Sequence, residues 1–435
     1  MGTFKFAMSM LKKEAKKSFA FCLTIFFGVA TSFVFFNIIN NQYLVDHTQA
    51  SSGTSFSSVS VPISTLVAFM IIIFCCFMLG FANNFYLSHK TSELAIMAMS
   101  GSSFMNTTVY LFYQTLAIAL IALPFGLLAG VGGAFASNHF MYEYLSVHSS
   151  IFTIPFLAFR DTIVTFLMTL FILVFLDSGY VYTHDIQYML SQEKSSTLKN
   201  SGGREIPSWI FILIFIFGFV LLLTTPYSAS AYLFPCVVGV VGVAGLVCKT
   251  IPEWLSHFKK TTWINDKIRL VSSSNLAFSL KRSSTLISLY CLCTVFMIAL
   301  LISEHANPRE YITSIIGYAV IIILLSVSIM YKYTAEAESR KIFFFNLFKL
   351  GYVHSQLKKV IRHEVVAFFG LLLFVPMTYV LVLLFLFASH GAAHIGFCIG
   401  LVGVEVIPAL IMALITNSMY KKSVFALIEE GTHYE

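Results

Sequence analysis

Long apolar runs alternate with short polar segments along the whole chain, and this alternation is the dominant pattern of the sequence. A helix that crosses the hydrocarbon core of a bilayer needs about 20 predominantly apolar residues, and ten runs approach or reach that length. They are residues 19–39, 63–87, 110–136, 162–182, 209–224, 231–248, 286–303, 311–331, 365–387 and 395–416. The composition, 58% hydrophobic and 11% charged over 435 residues, excludes a soluble globular domain. We predict an all-α polytopic membrane protein with ten transmembrane helices.

Lysine and arginine residues fall almost entirely in alternate gaps between these runs. Of the 27, only Arg160 and Arg309 lie in or beside the other set of gaps. Cytoplasmic loops of membrane proteins carry the excess of Lys and Arg, so the lysine-rich N-terminal arm and the segment with Lys421 and Lys422 are expected inside. We predict a multi-pass protein of the cell membrane, in contact with membrane lipids, with cytoplasmic N- and C-termini.

Two parts of the chain show the same order of features. A short amphipathic stretch with a basic end precedes the first run (6–13) and the seventh run (276–282). The polar segments after the second and eighth runs each end in a glycine, Gly101 and Gly351. Both copies begin on the same side, so the predicted repeats are parallel, unlike the inverted repeats of many secondary transporters.

The correspondence continues beyond the glycines. Gln114 and Glu364 each lie thirteen residues after their glycine, and a proline follows inside the next run. We predict a four-helix repeat in residues 1–190, a two-helix hairpin with cytoplasmic linkers in 191–270, and a second four-helix repeat in 271–435.

The segment after the second run, residues 88–103, is too short and too polar to span a bilayer. Lys90 and Glu93 lie three residues apart and can pair across one helical turn. Leu94 and Ile96 contribute to a short apolar face. We predict a separate interfacial helix with an exposed charged turn that contacts a soluble partner.

A glycine at the end of this segment supplies a stop signal, because Gly101 can adopt the left-handed conformation that caps a helix. Taken alone, the segment is equally typical of an ordinary amphipathic connector.

The same segment resembles the R-x-x-E-L-x-I-L-x-x-L-G-A-S signature of FtsX-like permeases, the membrane subunits of mechanotransmitting ABC transporters. Five residues stand at positions of that signature, with lysine in place of its arginine: Lys90, Glu93, Leu94, Ile96 and Gly101. The resemblance implies that this segment is a coupling helix that binds an ATPase.

The second copy, residues 336–353, departs from that signature. It looks like the second-half loop of the bacitracin-type (Bce) branch of the family, in which an acidic run precedes L-x-K-[IL]-G. The residues that carry this likeness are Glu338, Arg340, Leu347, Lys349 and Gly351. The resemblance implies a second coupling helix, and ten helices are also the topology of that branch.

The resemblance implies that an ABC-type ATPase, in two copies, binds the chain and carries the ATP and Mg²⁺. The chain itself has no G-x-x-x-x-G-K-[ST] motif, so no cofactor, catalytic residue or enzyme activity of its own is expected. Metal and nucleic-acid binding are not expected either. The substrate implied is an antimicrobial peptide, a lipid-linked target or a lipopeptide at the outer leaflet.

One feature of the Bce branch is missing. Its members carry a large extracellular domain between the seventh and eighth helices, where this chain has only the seven residues from Glu304 to Glu310. Either the ligand binds within the membrane, or a separate extracellular accessory protein takes the place of the missing domain.

Two acidic residues interrupt the apolar runs, Asp177 in the fourth and Glu405 in the tenth. An ionised carboxylate within a bilayer costs several kcal/mol or more, so each should face the bundle interior and find a partner. A polar packing contact is favoured over a substrate or gating contact. Two other functions stay open: a proton-coupled secondary transporter that uses both acids, and a non-transporting scaffold for a sensor kinase.

Glycines within the third run form a dense group that could suggest a phosphate-binding loop. Gly126, Gly130 and Ala134 have the four-residue spacing of a small-residue helix face. Because the amides of a lipid-embedded helix are already bonded within it, we predict close helix packing here.

Overall fold

The computed structural model describes residues 3–13, 15–44, 63–146, 148–183, 207–225, 232–261, 263–303, 308–390 and 394–432. Within these ranges the regular structure consists of fourteen α-helices and one π-helical turn, with no strand. The chain divides into two compact units, Met1–Gly202 and Gly203–Glu435. The predicted all-α fold class is confirmed for the described residues.

The first unit is built around one long central helix. Its helices are α1 (Thr3–Lys13), α2 (Ala15–Asn40), α3 (Ile63–Met99), α4 (Phe104–Leu145) and α5 (Phe156–Thr183). Helix α2 packs against α3, α4 and α5, and its Phe21, Ile25 and Val29 lie in the core of the unit.

Small residues let α4 approach α2 closely. A Cβ added to Gly126 would lie 2.9 Å from Val29 Cβ, and one added to Gly130 would lie 2.8 Å from Phe33 Cβ. Ala134 is fully buried on the same face. The close-packing face predicted from the glycine spacing is confirmed.

The described residues of the second unit form nine α-helices. They are α6 (Ser208–Thr224), α7 (Leu233–Gly245), α8 (Ile251–Thr261), α9 (Lys267–Arg282), α10 (Ser284–Ser303), α11 (Pro308–Ser339), α12 (Lys341–Lys349), α13 (His354–Ser389) and α14 (Ile395–Thr432). The π-helical turn, Leu246–Thr250, joins α7 directly to α8. Helix α10 is the centre of the unit and packs against α7, α11 and α13.

The two helices of the predicted hairpin, α6 and α7, pack within this second unit. Tyr379 of α13 donates a hydrogen bond to the carbonyl of Phe215 in α6, at 2.8 Å. Gly218 and Gly239 face each other at this point, where an added Cβ on Gly218 would lie 2.9 Å from Gly239 Cα. The predicted domain boundary at residue 190 falls outside the described residues.

Helices of the described chain overlap the predicted apolar runs. By length and composition, eight helices of the described chain can cross a membrane. The second and fifth predicted spans correspond to the shorter apolar helices Ala68–Asn84, within α3, and Ser208–Thr224. The chain is therefore a multi-pass, all-α membrane protein. Of the predicted outer turn from Glu304 to Glu310, residues 304–307 lie outside the described part and the remainder begins α11.

The segment 88–103, predicted as an interfacial element of its own, is not a separate helix. Helix α3 runs without interruption for 37 residues, from Ile63 to Met99. The segment from Glu93 to Met99 consists largely of strong helix formers, so nothing ends the helix before Gly101. In the second unit, the corresponding segment is broken at Arg340, and α12 is a separate helix of nine residues.

Candidate functional site: two buried cation clusters beside glycine turns

A glycine with a left-handed backbone follows the end of α3 in the first unit and the end of α12 in the second unit. Gly101 has φ +83°, as predicted for a helix-ending glycine, and Gly351 has φ +92°. The amide of Ser102 bonds the carbonyl of Met97 at 3.1 Å, and that of Tyr352 bonds Leu347 at 3.2 Å. Both are the six-residue closures of a Schellman motif. We call residues 100–103 the first turn and residues 350–353 the second turn.

Lys90, eleven residues before Gly101, is fully buried in the first unit. Its Nζ lies 3.1 Å from Glu93 Oε2 and 5.7 Å from the ring centroid of Tyr86. The predicted pairing with Glu93 is confirmed, but the expectation that Lys90 lies on an exposed helical turn is wrong. Because α3 is continuous, the side chain at position 90 still faces the core of the helix bundle.

The carboxylate of Glu93 joins Lys90 to the next helix. Tyr110 of α4 donates a hydrogen bond to Glu93 Oε2 at 3.0 Å, and Gln114 Nε2 donates to the Tyr110 hydroxyl at 2.8 Å. Tyr86 donates to Gln114 Oε1 at 3.0 Å. These residues form the Lys90 cluster, which ties the end of α3 to α4.

Arg340, eleven residues before Gly351, forms a corresponding cluster in the second unit. Its Nη1 lies 2.7 Å from Glu364 Oε1, and its Nη2 lies 2.5 Å from Glu336 Oε1. Nη2 also donates to Ser279 Oγ at 2.8 Å, and the guanidinium lies 5.0 Å from the centroid of Phe278. The cation therefore joins α9, α11 and α13.

Glu364 is the centre of this Arg340 cluster. It is fully buried and accepts hydrogen bonds from Tyr333 Oη at 2.8 Å and Asn275 Nδ2 at 3.2 Å. Burial by itself would lower the pKa of Arg340, but the carboxylates of Glu364 and Glu336 outweigh that effect and raise the pKa above its usual value. Arg340 therefore stays charged throughout the accessible pH range.

The other predicted site residues divide between buried and exposed positions. Leu94 is fully buried and Leu347 nearly so, whereas Ile96 is 61% exposed. Lys349 lies 4.8 Å from the ring centroid of Phe345. Glu338 is in the last turn of α11, and its side chain is outside the described part.

Apolar side chains beside both turns project from the protein. In the first unit they are Ile96 and Met99, which is 57% exposed. In the second unit they are Leu350, at 78%, and Val353, at 58%. Each turn thus combines an exposed apolar surface with a buried cation cluster on the adjacent helix.

Each intramembrane acid is buried and has a polar partner on another helix of its unit, α3 in the first unit and α11 in the second. Asp177 accepts a hydrogen bond from Asn83 of α3, and Glu405 Oε2 accepts one from the Tyr318 hydroxyl of α11 at 3.2 Å. The predicted burial and partnering of these acids is confirmed. Among the described residues, no group of three or more His, Cys, Asp or Glu side chains could hold a metal ion.

Sequence reasoning missed several members of the two clusters. Tyr110 lies four residues from Gln114 on one helix, and Glu336 lies four residues from Arg340, so this spacing could have indicated Tyr110 and Glu336. Tyr333 and the polar residues of α9 carried no such signal, because they meet Glu364 only through tertiary packing.

No protein-family model matches this chain, and no curated protein matches it.

Proposed function

We propose that this chain is the permease subunit of an ABC-type transport complex, in which a separate ATPase moves the membrane helices. One observation carries the proposal. In each unit a cation, Lys90 or Arg340, lies eleven residues before a left-handed glycine. The cluster around that cation includes the polar side chain thirteen residues after the glycine, Gln114 or Glu364. Such an arrangement gives an ATPase a turn of fixed conformation to bind and displace. The buried cation cluster connects that turn to the helix bundle.

The two turns are the proposed docking surfaces, and a soluble ATPase with an apolar groove is the proposed occupant. Ile96 and Met99 at the first turn, and Leu350 and Val353 at the second, offer paired exposed apolar side chains. Two surfaces of the same kind match an ATPase in two copies, one beneath each turn. ATP and Mg²⁺ belong to that partner, and this chain contributes neither a cofactor site nor catalysis.

The proposed force path begins with displacement of a turn. In the first unit, a push on the turn acts on the continuous helix α3 and, through Glu93 and Tyr110, on α4. In the second unit, the short helix α12 transmits the push to Arg340, which is bonded to α9, α11 and α13. Buried ion pairs contribute more to defined geometry than to net stability, which suits a connecting element.

The proposed topology has ten crossings, both termini in the cytoplasm of a cell, and two parallel four-helix repeats joined by a hairpin. The 17 residues of α6 extend about 26 Å at 1.5 Å per residue, which is close to the thickness of a bilayer core. The positive-inside distribution of 27 Lys and Arg residues supports the orientation.

The proposed substrate is an antimicrobial peptide, a lipid-linked target or a lipopeptide handled at the outer leaflet, with resistance or export as the outcome. The rival proton-coupled transporter would use Asp177 and Glu405. Each of these acids is already bonded to a neighbouring helix, which supports a packing role. A kinase scaffold would use the same two turns to bind a different soluble partner.

Charge substitution at the exposed apolar positions tests the proposal. Glu93→Lys is a poor probe, because Glu93 belongs to the internal Lys90 cluster. Ile96→Glu with Met99→Glu, and Leu350→Glu with Val353→Glu, alter only exposed side chains. Tyr144→Glu with Phe152→Glu, exposed on the predicted outer side, is the matched control.

The measurements are co-purification of a candidate ABC-type ATPase co-expressed with this chain and its stimulated ATP turnover in proteoliposomes. We expect both turn variants to lose the ATPase while the control retains it. Retention of an active ATPase by both turn variants would refute the docking surfaces. Substrate uptake that persists without ATP and collapses with the pH gradient would establish the secondary transporter instead.

A further inference from the structure

An aromatic and basic surface at the start of the second unit has no role in the proposed coupling. It comprises α8 and the first residues of α9. Two of the chain's three tryptophans, Trp254 and Trp263, lie in this short region. Between residues 249 and 269 the chain also carries five basic and two acidic residues.

Helix α8 presents one apolar arc to its surroundings. Ile251, Trp254, Leu255 and Phe258 have the i, i+3, i+4, i+7 spacing of a single helix face. Trp254 is 56% exposed and Phe258 is 48% exposed, so neither is covered by the rest of the unit. The ring of Trp263 lies 6.0 Å from that of Phe258, which extends the aromatic surface into the next segment.

The basic residues beside this arc differ in how they are engaged. Lys259 Nζ bonds Ser274 Oγ at 3.0 Å, and Arg269 pairs with Asp266 at 3.2 Å. Lys260 and Lys267 are exposed and make no hydrogen bond or ion pair with other described residues. Two ammonium groups are therefore available to an anion outside the protein.

With α7 crossing the membrane as in the proposed topology, on which this inference rests, the distance along the helix puts this surface at the inner edge of the bilayer. Residues 233–250, from α7 through the π-helical turn, extend about 27 Å, which nearly matches the hydrocarbon core of about 30 Å. Trp254 follows four residues later, within the headgroup layer, where tryptophan is enriched. Exposed aromatic side chains with nearby lysines fit a lipid surface of negative charge.

We propose that the Trp254–Phe258 face, with Lys260 and Lys267, binds anionic phospholipid headgroups of the inner leaflet. The aromatic rings anchor the helix end at the interface, and the two lysines select negatively charged headgroups over zwitterionic ones. This binding is independent of the ATPase and would hold the entry to α9, whose Asn275 and Ser279 contact the Arg340 cluster.

Quenching of tryptophan fluorescence by brominated lipids tests the proposal on the full chain. A Trp209→Phe background leaves Trp254 and Trp263 as reporters. The protein is reconstituted into phosphatidylcholine vesicles with equal fractions of either brominated phosphatidylglycerol or brominated phosphatidylcholine. We expect quenching by the anionic lipid to be about fivefold stronger, and this preference to shrink at high salt.

Lys260→Gln with Lys267→Gln should abolish the preference, and the exposed positions of both residues should leave the fold intact. Lys421→Gln with Lys422→Gln removes the same charge from the end of α14 and should leave the preference unchanged. Equal quenching by the two lipids, or a preference that survives in the Lys260 and Lys267 variant, would overturn the proposal. Strong quenching by aqueous acrylamide in both membranes would show that this face lies in water and would also overturn the proposal.

Discussion

Arg340 Nη1 lies 2.7 Å from Glu364 Oε1, and this contact joins the break after α11 to the middle of the helix packing in the second unit. Glu364 is fully buried and also receives hydrogen bonds from Tyr333 and Asn275. Arg340 is the only cation that the described contacts place on this carboxylate. Arg340, the residue between α11 and α12, is thus tied to a buried carboxylate of α13.

Arg340→Gln should destabilise the protein by about 3–5 kcal/mol, because it leaves Glu364 buried without its cation. Adding Glu364→Gln should recover part of the loss, since it removes the buried charge while the amide oxygen can still accept the hydrogen bond from Tyr333. A double-mutant cycle of denaturant unfolding in detergent measures this coupling. Strictly additive effects of the two substitutions would contradict a direct ion pair.

Lys90→Met should cost less than Arg340→Gln, at about 1–3 kcal/mol. The partner of Lys90, Glu93, keeps 18% of its side chain exposed and retains the hydrogen bond from Tyr110. Water and Tyr110 can therefore compensate in part. The same unfolding assay compares the two variants, and a larger loss at Lys90 would reverse the ranking of the two clusters.

Gly101→Val and Gly351→Val should each cost about 1–2 kcal/mol through backbone strain alone. A Cβ added at either position meets nothing within 4 Å, so no steric clash contributes. Gly101→Asn should cost less than Gly101→Val, because asparagine tolerates the left-handed region. Gly132→Ala is the matched control: its site is equally open but helical, and the change should be neutral or stabilising.

Glu405→Gln should leave assembly and ATP turnover near normal, because the amide keeps the shape and can still accept a hydrogen bond from Tyr318. Asp177→Asn should behave in the same way toward Asn83. Transport assays on well-assembled variants decide the role of the acids. Loss of transport without loss of assembly would show that Glu405 takes part in transport and is not only a packing contact.

Cysteine labelling of intact cells tests the proposed orientation. In a background without native cysteines, Ser150→Cys should react with an impermeant reagent from outside. Ser100→Cys and Ser355→Cys, both at exposed positions beside the turns, should react only after permeabilisation. Labelling of either turn from outside would show that the orientation is the reverse of the proposed one. The turns would then not be cytoplasmic docking surfaces.

The sequence alone determined the membrane class of the protein, the positions of its apolar helices and the two glycines that end the segments after the second and eighth runs. Long apolar runs leave the chain no alternative to helices within a bilayer, and a glycine after a helix-forming segment predicts a left-handed cap from local conformation. It also predicted the burial of Asp177 and Glu405, because an unpaired carboxylate is too costly in lipid.

Only the tertiary structure decided which way Lys90 faces and what surrounds Arg340. The segment from Glu93 to Met99 is strongly helix-forming, so α3 continues past the point at which the sequence suggested a new element, and Lys90 stays inside the bundle. Arg340 meets side chains up to 61 residues away along the chain, such as Ser279. Contacts of this kind depend on how separate helices pack, and no local periodicity of the sequence encodes them.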